Sequence, residues 1–347
     1  MSKDRVVIIG AGQGGLQAAI SLRQEGHEGP ITLIGAEEGL PYQRPPLSKA
    51  YLKTGEAEKL ALRPESFFEK QAIGLRAGTW VDTIDRSAKE VQIGDERVPY
   101  DYLILATGTR NLQPPIPGVE KTLGLRTLED ARILRAELSR PRKIAVIGGG
   151  FIGLKFAAVA RILGHVISVA EAAPRLMARV LVLLAAGVRP NAELAEASGL
   201  KVANGVVTDA LMRTEDPATF ALGDCAVFPD PRTGRPVRLE SVQAATDQAR
   251  AIAKTITKGT ADRYAAVPWF WSDQSDWKLQ IAGLSGPDDA CVAVGDDTVL
   301  RFAGENLTAV ETINNAKTHM KARRLMAGVS LPSRSELSAV DFDLTRF

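Results

Sequence analysis

The sequence predicts an α/β fold of two Rossmann-like dinucleotide-binding domains, the second truncated, plus a small α+β C-terminal domain. Three observations carry that expectation. Val6-Val7-Ile8-Ile9 runs directly into Gly10-Ala11-Gly12-Gln13-Gly14-Gly15, an apolar strand followed by a glycine turn. Ile144-Ala145-Val146-Ile147 then Gly148-Gly149-Gly150-Phe151-Ile152-Gly153 repeats the pattern. Between them Leu103-Ile104-Leu105-Ala106-Thr107-Gly108 closes the first unit just before the second begins. The predicted domains are 1–113 with 204–266, then 114–203 shortened between 171 and 181, then 267–347.

In the first unit a helix is predicted from about Gly14 to Gln24, with Leu16, Ala19, Ile20 and Leu22 at helical spacing. Gly10 permits the tight turn, Gly12 lets backbone approach a pyrophosphate, and Gly15 allows close helix packing, with Gly14 in the same turn. The strand Ile31-Thr32-Leu33-Ile34 leads to Glu37, a carboxylate at the right offset to hold a ribose diol. Residues 67–99 read as short alternating pieces with a hairpin at 91–98. The proline-rich stretch from Asn111 to Pro117 is expected to carry the chain into the second unit.

The second unit repeats strand, turn, helix and strand, ending at Glu171. That acid favours NAD over NADP, while Arg175 leaves the choice open. Only Ala172 to Arg179 separate it from the next apolar strand, Val180-Leu181-Val182-Leu183-Leu184. A helical crossover needs about a dozen residues, so this domain is expected to lack one. Residues 203–209 and the Gly223-Asp224 turn should return the chain to the first domain, followed by a helix from about Val242 to Thr257. Beyond Val267, strands near 278–284, 290–294, 298–302 and 307–310 and a helix over 316–326 fit an α+β domain.

Composition excludes several classes. Forty-three Lys and Arg against 41 Asp and Glu leave a formal charge of +2, which offers no polyanion-binding surface, so nucleic acid is not expected. The longest apolar run, Val180 to Val188, falls well short of the roughly 18 residues of a membrane span, and no signal core follows Met1. A cytoplasmic location is expected. Cys225 and Cys291 form neither a Cys-x-x-Cys nor a metal-ligand spacing, so both read as buried small hydrophobes, no metal is expected and no redox disulfide is available.

The run Leu40-Pro41-Tyr42-Gln43-Arg44-Pro45-Pro46-Leu47-Ser48-Lys49, together with both glycine turns, resembles the FAD-dependent, NADH-using ferredoxin, rubredoxin and putidaredoxin reductases. These are relatives of the apoptosis-inducing-factor flavoproteins, within the pyridine nucleotide-disulfide oxidoreductase superfamily. Ala106-Thr107-Gly108-Thr109-Arg110, Gly124-Leu125-Arg126-Thr127, Gly187-Val188-Arg189-Pro190-Asn191, Leu222-Gly223-Asp224-Cys225-Ala226, Leu239-Glu240-Ser241-Val242-Gln243 and Pro268-Trp269-Phe270-Trp271-Ser272-Asp273-Gln274 extend the likeness over nearly the whole chain.

The resemblance implies that Gly10, Gly12, Gly14, Gly15, Glu37, Arg44, Lys49, Thr107, Gly108, Arg126, Asp224, Glu240, Val242 and Trp271 line FAD. It likewise implies that Gly148, Gly150, Gly153 and Glu171 line NADH. Lys49, Lys155 and Trp271 would be the catalytic group, Trp271 lying against the isoalloxazine ring. The implied reaction takes hydride from NADH onto FAD and passes single electrons to a small 2Fe-2S ferredoxin or rubredoxin, in a monomer or weak homodimer. The family usually has glutamate where this chain has Lys155. Two lysines within about 4 Å would oppose each other by roughly 1 to 4 kcal/mol. That departure and the short second unit motivate an alternative, an FAD-binding remnant or sensor with impaired NADH reactivity. A flavin monooxygenase ranks third, because it need not carry a second complete glycine turn.

Overall fold

The computed structural model describes residues 3–171, 187–260, 262–274, 276–328 and 330–347. In chain order the elements begin with β1 (Val6–Ile9), α1 (Gln13–Gln24), β2 (Ile31–Ile34), α2 (Ala50–Thr54), α3 (Glu65–Lys70), β3 (Ile73–Arg76) and β4 (Thr83–Asp85). They continue with β5 (Glu90–Ile93), β6 (Glu96–Pro99), β7 (Tyr102–Leu105), β8 (Thr109–Asn111), α4 (Leu128–Glu137), β9 (Lys143–Ile147), α5 (Phe151–Ile162) and β10 (Val166–Ala170). Then come β11 (Val188–Pro190), α6 (Glu193–Ala197), β12 (Val206–Val207), β13 (Thr219–Ala221), β14 (Ala226–Pro229), β15 (Pro236–Val237) and α7 (Val242–Lys258). The last are β16 (Trp269–Gln274), β17 (Trp277–Gly283), β18 (Ala290–Val294), β19 (Thr298–Ala303), β20 (Asn306–Ile313), α8 (Ala316–Met326) and α9 (Arg334–Ser338).

The described residues pack as two compact units, one within Met1–Arg142 and Ala186–Ala265, the other within Lys143–Ala185 and Ala266–Phe347. The first is built on a five-stranded parallel sheet in the order β13-β7-β1-β2-β3. Its central strands are apolar throughout because both faces are covered: Val6, Val7, Ile8 and Ile9 are all buried, as are Leu103, Ile104 and Leu105. The turn at Gly10 starts at the carboxyl end of β1, and the parallel strand β7 ends beside it, so the glycine turn and the Ala106-Thr107-Gly108 turn share the carboxyl end of the sheet. The edge strand β3 comes from the stretch read as short alternating pieces. Its partner β2 buries one side of it, which its mixed composition does not announce.

The passage between the units falls after Arg142, beyond the Asn111–Pro117 stretch that was expected to make it. Two contacts hold the intervening chain in the first unit. β8 pairs antiparallel with β11, and α4 buries Ala131 beside Leu47, Tyr51 and Leu60, with Tyr42, Leu125 and Leu128 packed around them. Thr127 caps α4 in a reciprocal capping box with Asp130, which sets where the helix starts.

The second unit contains the parallel pair β9-β10 with α5, and a five-stranded antiparallel sheet in the order β16-β17-β20-β19-β18. One face of that sheet packs Ala282, Leu300, Phe302 and Val310 with Ala322 and Met326 of α8. The other face gathers Leu279, Ile281 and Ala309 around Phe151, the first residue of α5. Alternation along β17 therefore feeds two cores. Arg175 and the predicted strand Val180–Leu184 lie outside the described residues.

Cys225 is buried as expected, but Cys291 is exposed, which corrects the reading of both as core residues. The period of two along the edge strand β18 turns Cys291 outward, where the Arg301 guanidinium approaches its sulfur. No helix of the described residues is long and apolar enough to cross a membrane, and they hold no group of three or more His, Cys, Asp or Glu suited to a metal ion.

Candidate functional site

The site in the first unit begins with glycine geometry. Gly10 has φ +112, and a Cβ there would stand 2.2 Å from the Ala106 carbonyl oxygen. A Cβ on Gly15 would lie 1.9 Å from the Gly10 oxygen, so only glycine lets the first turn of α1 close on the loop. Gly12 differs, since a Cβ there would meet nothing within 4 Å. It is also the N-cap of α1 and supplies no side-chain acceptor to the first-turn N–H groups. Bare N–H groups at a helix start beside open space are the arrangement that receives a phosphate. Gly14 does another job: its missing Cβ makes room for Leu222 and Ala245 where α1 packs on α7.

Glu37 follows β2 and is held at both oxygens. The Tyr42 hydroxyl donates to Oε2 and Arg44 Nη2 donates to Oε1. Arg44 Nη1 also donates to the Arg126 carbonyl at 2.7 Å and to the Tyr42 oxygen at 3.1 Å. The backbone N–H of Leu128, at the start of α4, donates to the same oxygen at 2.8 Å. Burial pushes the Tyr42 phenol well above its ordinary value, which keeps it a donor. Lys49 sits half-buried between the turn at Pro45–Ser48 and α2.

A second cluster forms where β7, β8 and the Gly223 turn meet. Asp224 Oδ2 accepts from Arg126 Nη2 at 2.9 Å and from the Thr109 hydroxyl at 3.3 Å, while Arg126 Nε donates to the Thr109 carbonyl at 3.1 Å. Arg238 Nη1 donates to the Asp224 carbonyl at 3.0 Å and pairs with Glu240 at 2.6 Å. Burial raises the Glu240 carboxyl above its usual range, against the opposing pull of Arg238. Gly223 has φ +70 and donates its N–H to the buried Gln248 side chain at 2.7 Å. Val242 opens α7 after Ser241, which caps that helix by accepting from Ala244. Thr107 and Gly108 are zipped to the returning chain: the Thr107 hydroxyl donates to the Asn191 carbonyl at 2.6 Å, and Asn191 N–H donates to Gly108 at 2.9 Å.

The second unit repeats the glycine logic. Gly148 has φ +100, a Cβ on Gly153 would stand 2.2 Å from its oxygen, and Gly150 is the N-cap of α5. Glu171 Oε2 accepts from the Gly149 N–H at 2.7 Å, so the acid reaches back to the turn. Lys155 lies half-buried on α5, two residues beyond Gly153. Trp271, on β16, packs against Trp269 with ring centroids 5.3 Å apart and planes tilted by 32°. The Arg323 guanidinium lies 4.3 Å from the Trp269 ring centroid, and His319 meets that ring edge-on at 5.9 Å.

The predicted residues thus fall into two sets. Gly10, Gly12, Gly14, Gly15, Glu37, Arg44, Lys49, Thr107, Gly108, Arg126, Asp224, Glu240 and Val242 belong to the first unit; Gly148, Gly150, Gly153, Lys155, Glu171 and Trp271 belong to the second. Sequence reasoning passed over Tyr42, Thr109, Asn191, Arg238 and Gln248. Tyr42, Thr109 and Asn191 stand inside the quoted motifs, whereas Arg238 and Gln248 carried no local signal. Open space over Gly12, uncapped first-turn N–H donors and a carboxylate acceptor at Glu37 are a set of groups that fits an adenine dinucleotide.

A family model described as pyridine nucleotide-disulphide oxidoreductase matches residues 4–181 and 178–249, and one described as reductase C-terminal matches 269–347. The chain is 41% identical to rhodocoxin reductase of Rhodococcus erythropolis, covering 98% of this chain and 93% of that protein. It is 37% identical to the anthranilate 1,2-dioxygenase system ferredoxin–NAD(+) reductase component of Burkholderia cepacia, covering all of both. Among solved structures, the ferredoxin reductase for the CYP199A2 system of Rhodopseudomonas palustris superposes with a TM-score of 0.90 at 38% identity over 99% of each chain. A covalent putidaredoxin reductase–putidaredoxin complex gives 0.87 at 35%, over 94% and 93%. The two curated alignments run over 399 and 406 positions against 347 residues here, so those relatives carry residues without a counterpart in this chain. The oxidoreductase match breaks and resumes at 178–181.

Proposed function

We propose, from the premise that this chain belongs to the pyridine nucleotide-disulphide oxidoreductase family, that it takes hydride from NADH onto FAD and passes single electrons to a small redox protein. The family's reductases use FAD and NADH, and relatives named for ferredoxin, rubredoxin and putidaredoxin act with small iron–sulfur or rubredoxin partners. The observation that carries the proposal is the repeated glycine turn, each copy opening a helix and each followed by an acid, Glu37 and Glu171.

In this reading the chain's own residues hold the cofactors. The α1 N-terminus and Gly12 receive the FAD pyrophosphate, Glu37 the adenosine ribose, and Arg44 offsets phosphate charge. Thr107, Gly108, Arg126, Asp224, Glu240 and Val242 line the remainder, and the Arg126 and Arg238 pairs keep two neighbouring acids compensated. Gly148, Gly150, Gly153 and Glu171 receive NADH, and Lys49, Lys155 and Trp271 are the residues that the family resemblance gives as the catalytic group. Both cysteines are free thiols, Cys225 with its thiol pushed up by burial, so no disulfide relays the electrons. Bound FAD supplies the conversion of one electron pair into single electrons. The proposal also takes the protein as cytoplasmic, a monomer or weak homodimer, with neither nucleic acid nor membrane as a partner.

Anaerobic mixing with NADH tests it. Bleaching of the flavin band followed by reduction of an added 2Fe-2S ferredoxin or rubredoxin is expected, and purification without flavin overturns it. A second reading, an FAD-binding protein with impaired NADH reactivity, is favoured by the break at 178–181 and by Lys155 where the family usually has glutamate. Tight FAD with no NADH response selects that reading.

A further inference from the structure

We infer that Tyr42 is a positioning residue for the adenosine end of the bound dinucleotide, acting through Glu37 and tying that end to the start of α4. The inference rests on the reading of the first glycine unit as the FAD site. Every hydrogen-bonding capacity of the Tyr42 hydroxyl is used. Its proton goes to Glu37 Oε2, and its oxygen accepts from the Leu128 N–H at 2.8 Å and from Arg44 Nη1 at 3.1 Å. The phenol is thereby oriented by backbone that cannot rotate away, since Leu128 is the first residue of α4 and Thr127 locks the helix start through its capping box.

The main chain around Tyr42 is fixed as well. Tyr42 bridges to Ala61, and the Gln43 N–H donates to the Leu60 carbonyl at 2.9 Å. Consequences follow for both Glu37 and Arg44. An ionised carboxylate offers about four acceptor positions; Tyr42 and Arg44 occupy one on each oxygen, which leaves one on each for a vicinal diol. The carboxylate plane is set by two donors from the same short segment, so it is presented in a single orientation before a ligand arrives. The Arg44 guanidinium, at 5.3 Å from the Tyr42 ring centroid, is steadied by the same residue. Glu37 alone, on an exposed loop after β2, would lose side-chain freedom on binding; Tyr42 removes that cost in advance.

The test compares the natural protein with Tyr42→Phe, Glu37→Gln and the double variant, measuring the FAD dissociation constant by fluorescence quenching on the deflavinated protein. Its thermal midpoint without flavin is recorded alongside. Tyr42→Phe is expected to weaken FAD about five- to twentyfold, less than the full worth of a hydrogen bond to a charged group because Tyr42 acts through Glu37. FMN, which lacks the adenosine, should bind the natural protein and Tyr42→Phe alike. The double variant should match Glu37→Gln within about twofold, because one residue acts through the other. Leu128→Pro, which removes the N–H at a helix position that tolerates proline and also trims a side chain packed beside Tyr42, should weaken FAD in the same direction. An unchanged FAD constant in Tyr42→Phe, an additive double variant, or equal weakening of FAD and FMN overturns the inference while leaving the FAD site standing. A natural protein that takes up no FAD overturns both.

Discussion

Arg126 and Asp224 meet at 2.9 Å although 98 residues separate them, and the contact joins the segment before α4 to the turn before β14. Both side chains are about four-fifths buried, and Asp224 also raises the Glu240 carboxyl, so Arg126 compensates more than one acid. Arg126→Met should therefore cost about 2 kcal/mol of stability, the scale of a hydrogen bond to a charged group. Urea unfolding of the deflavinated protein measures it. Adding Asp224→Asn should recover part of the loss, and a purely additive result counts against the pairing.

The two kinds of glycine separate folding from binding. Gly15→Ala places a methyl group on the Gly10 carbonyl and should lower stability by about 1 to 3 kcal/mol while abolishing FAD uptake. Gly12→Ala points into open space, so the flavin-free midpoint should stay within about 0.5 kcal/mol of the natural protein while FAD affinity falls. If Gly12→Ala binds FAD normally, the phosphate does not pass over that loop.

Protonation of His319 should set the acid limit of the second unit. Burial, assisted by the Arg323 charge, holds the imidazole down to about 4 from its ordinary 6.5, and neither ring nitrogen has a hydrogen-bond partner among the described residues. Between those values the unfolded chain binds more protons than the folded one. The contribution is thus complete above pH 6.5 and is lost as pH falls toward 4, by at most about 3 kcal/mol. Comparing urea midpoints of the natural protein and His319→Leu at pH 7 and pH 5 isolates it. The variant should lose less stability on acidification, and parallel losses would reject the assignment.

Lys155→Glu tests the proposed nicotinamide role. If Lys155 lies near the reacting rings, a carboxylate there should quicken reduction by NADH while lowering the flavin midpoint potential, since the anionic reduced form loses electrostatic support. Stopped-flow reduction and a spectroelectrochemical titration read the two effects independently. If neither quantity moves, Lys155 has no place in the reaction.

Much of this protein was legible in the residues alone because local rules dominate there. An apolar strand running into Gly10-Ala11-Gly12-Gln13-Gly14-Gly15 or Gly148-Gly149-Gly150-Phe151-Ile152-Gly153 admits few backbone paths, and α1, α5, α7 and α8 followed from helical spacing. The strands β17 to β20 followed from alternation and turns in the same way. Three things were decided only by tertiary structure. The chain stays in the first unit through Arg142, since the apolar stripe of α4 is buried on Tyr42, Leu47 and Tyr51, a pairing that no window along the sequence contains. Cys291 is exposed on β18, which lies at the edge of its sheet, and edge position is a property of the assembled sheet. Tyr42 and Arg238 acquire their partners from residues that only folding brings within hydrogen-bond reach: Leu128 lies 86 positions from Tyr42, and Asp224 lies 14 from Arg238. Short-range sterics therefore determined the glycine turns and the elements around them, while long-range burial and charge compensation determined how their side chains were oriented.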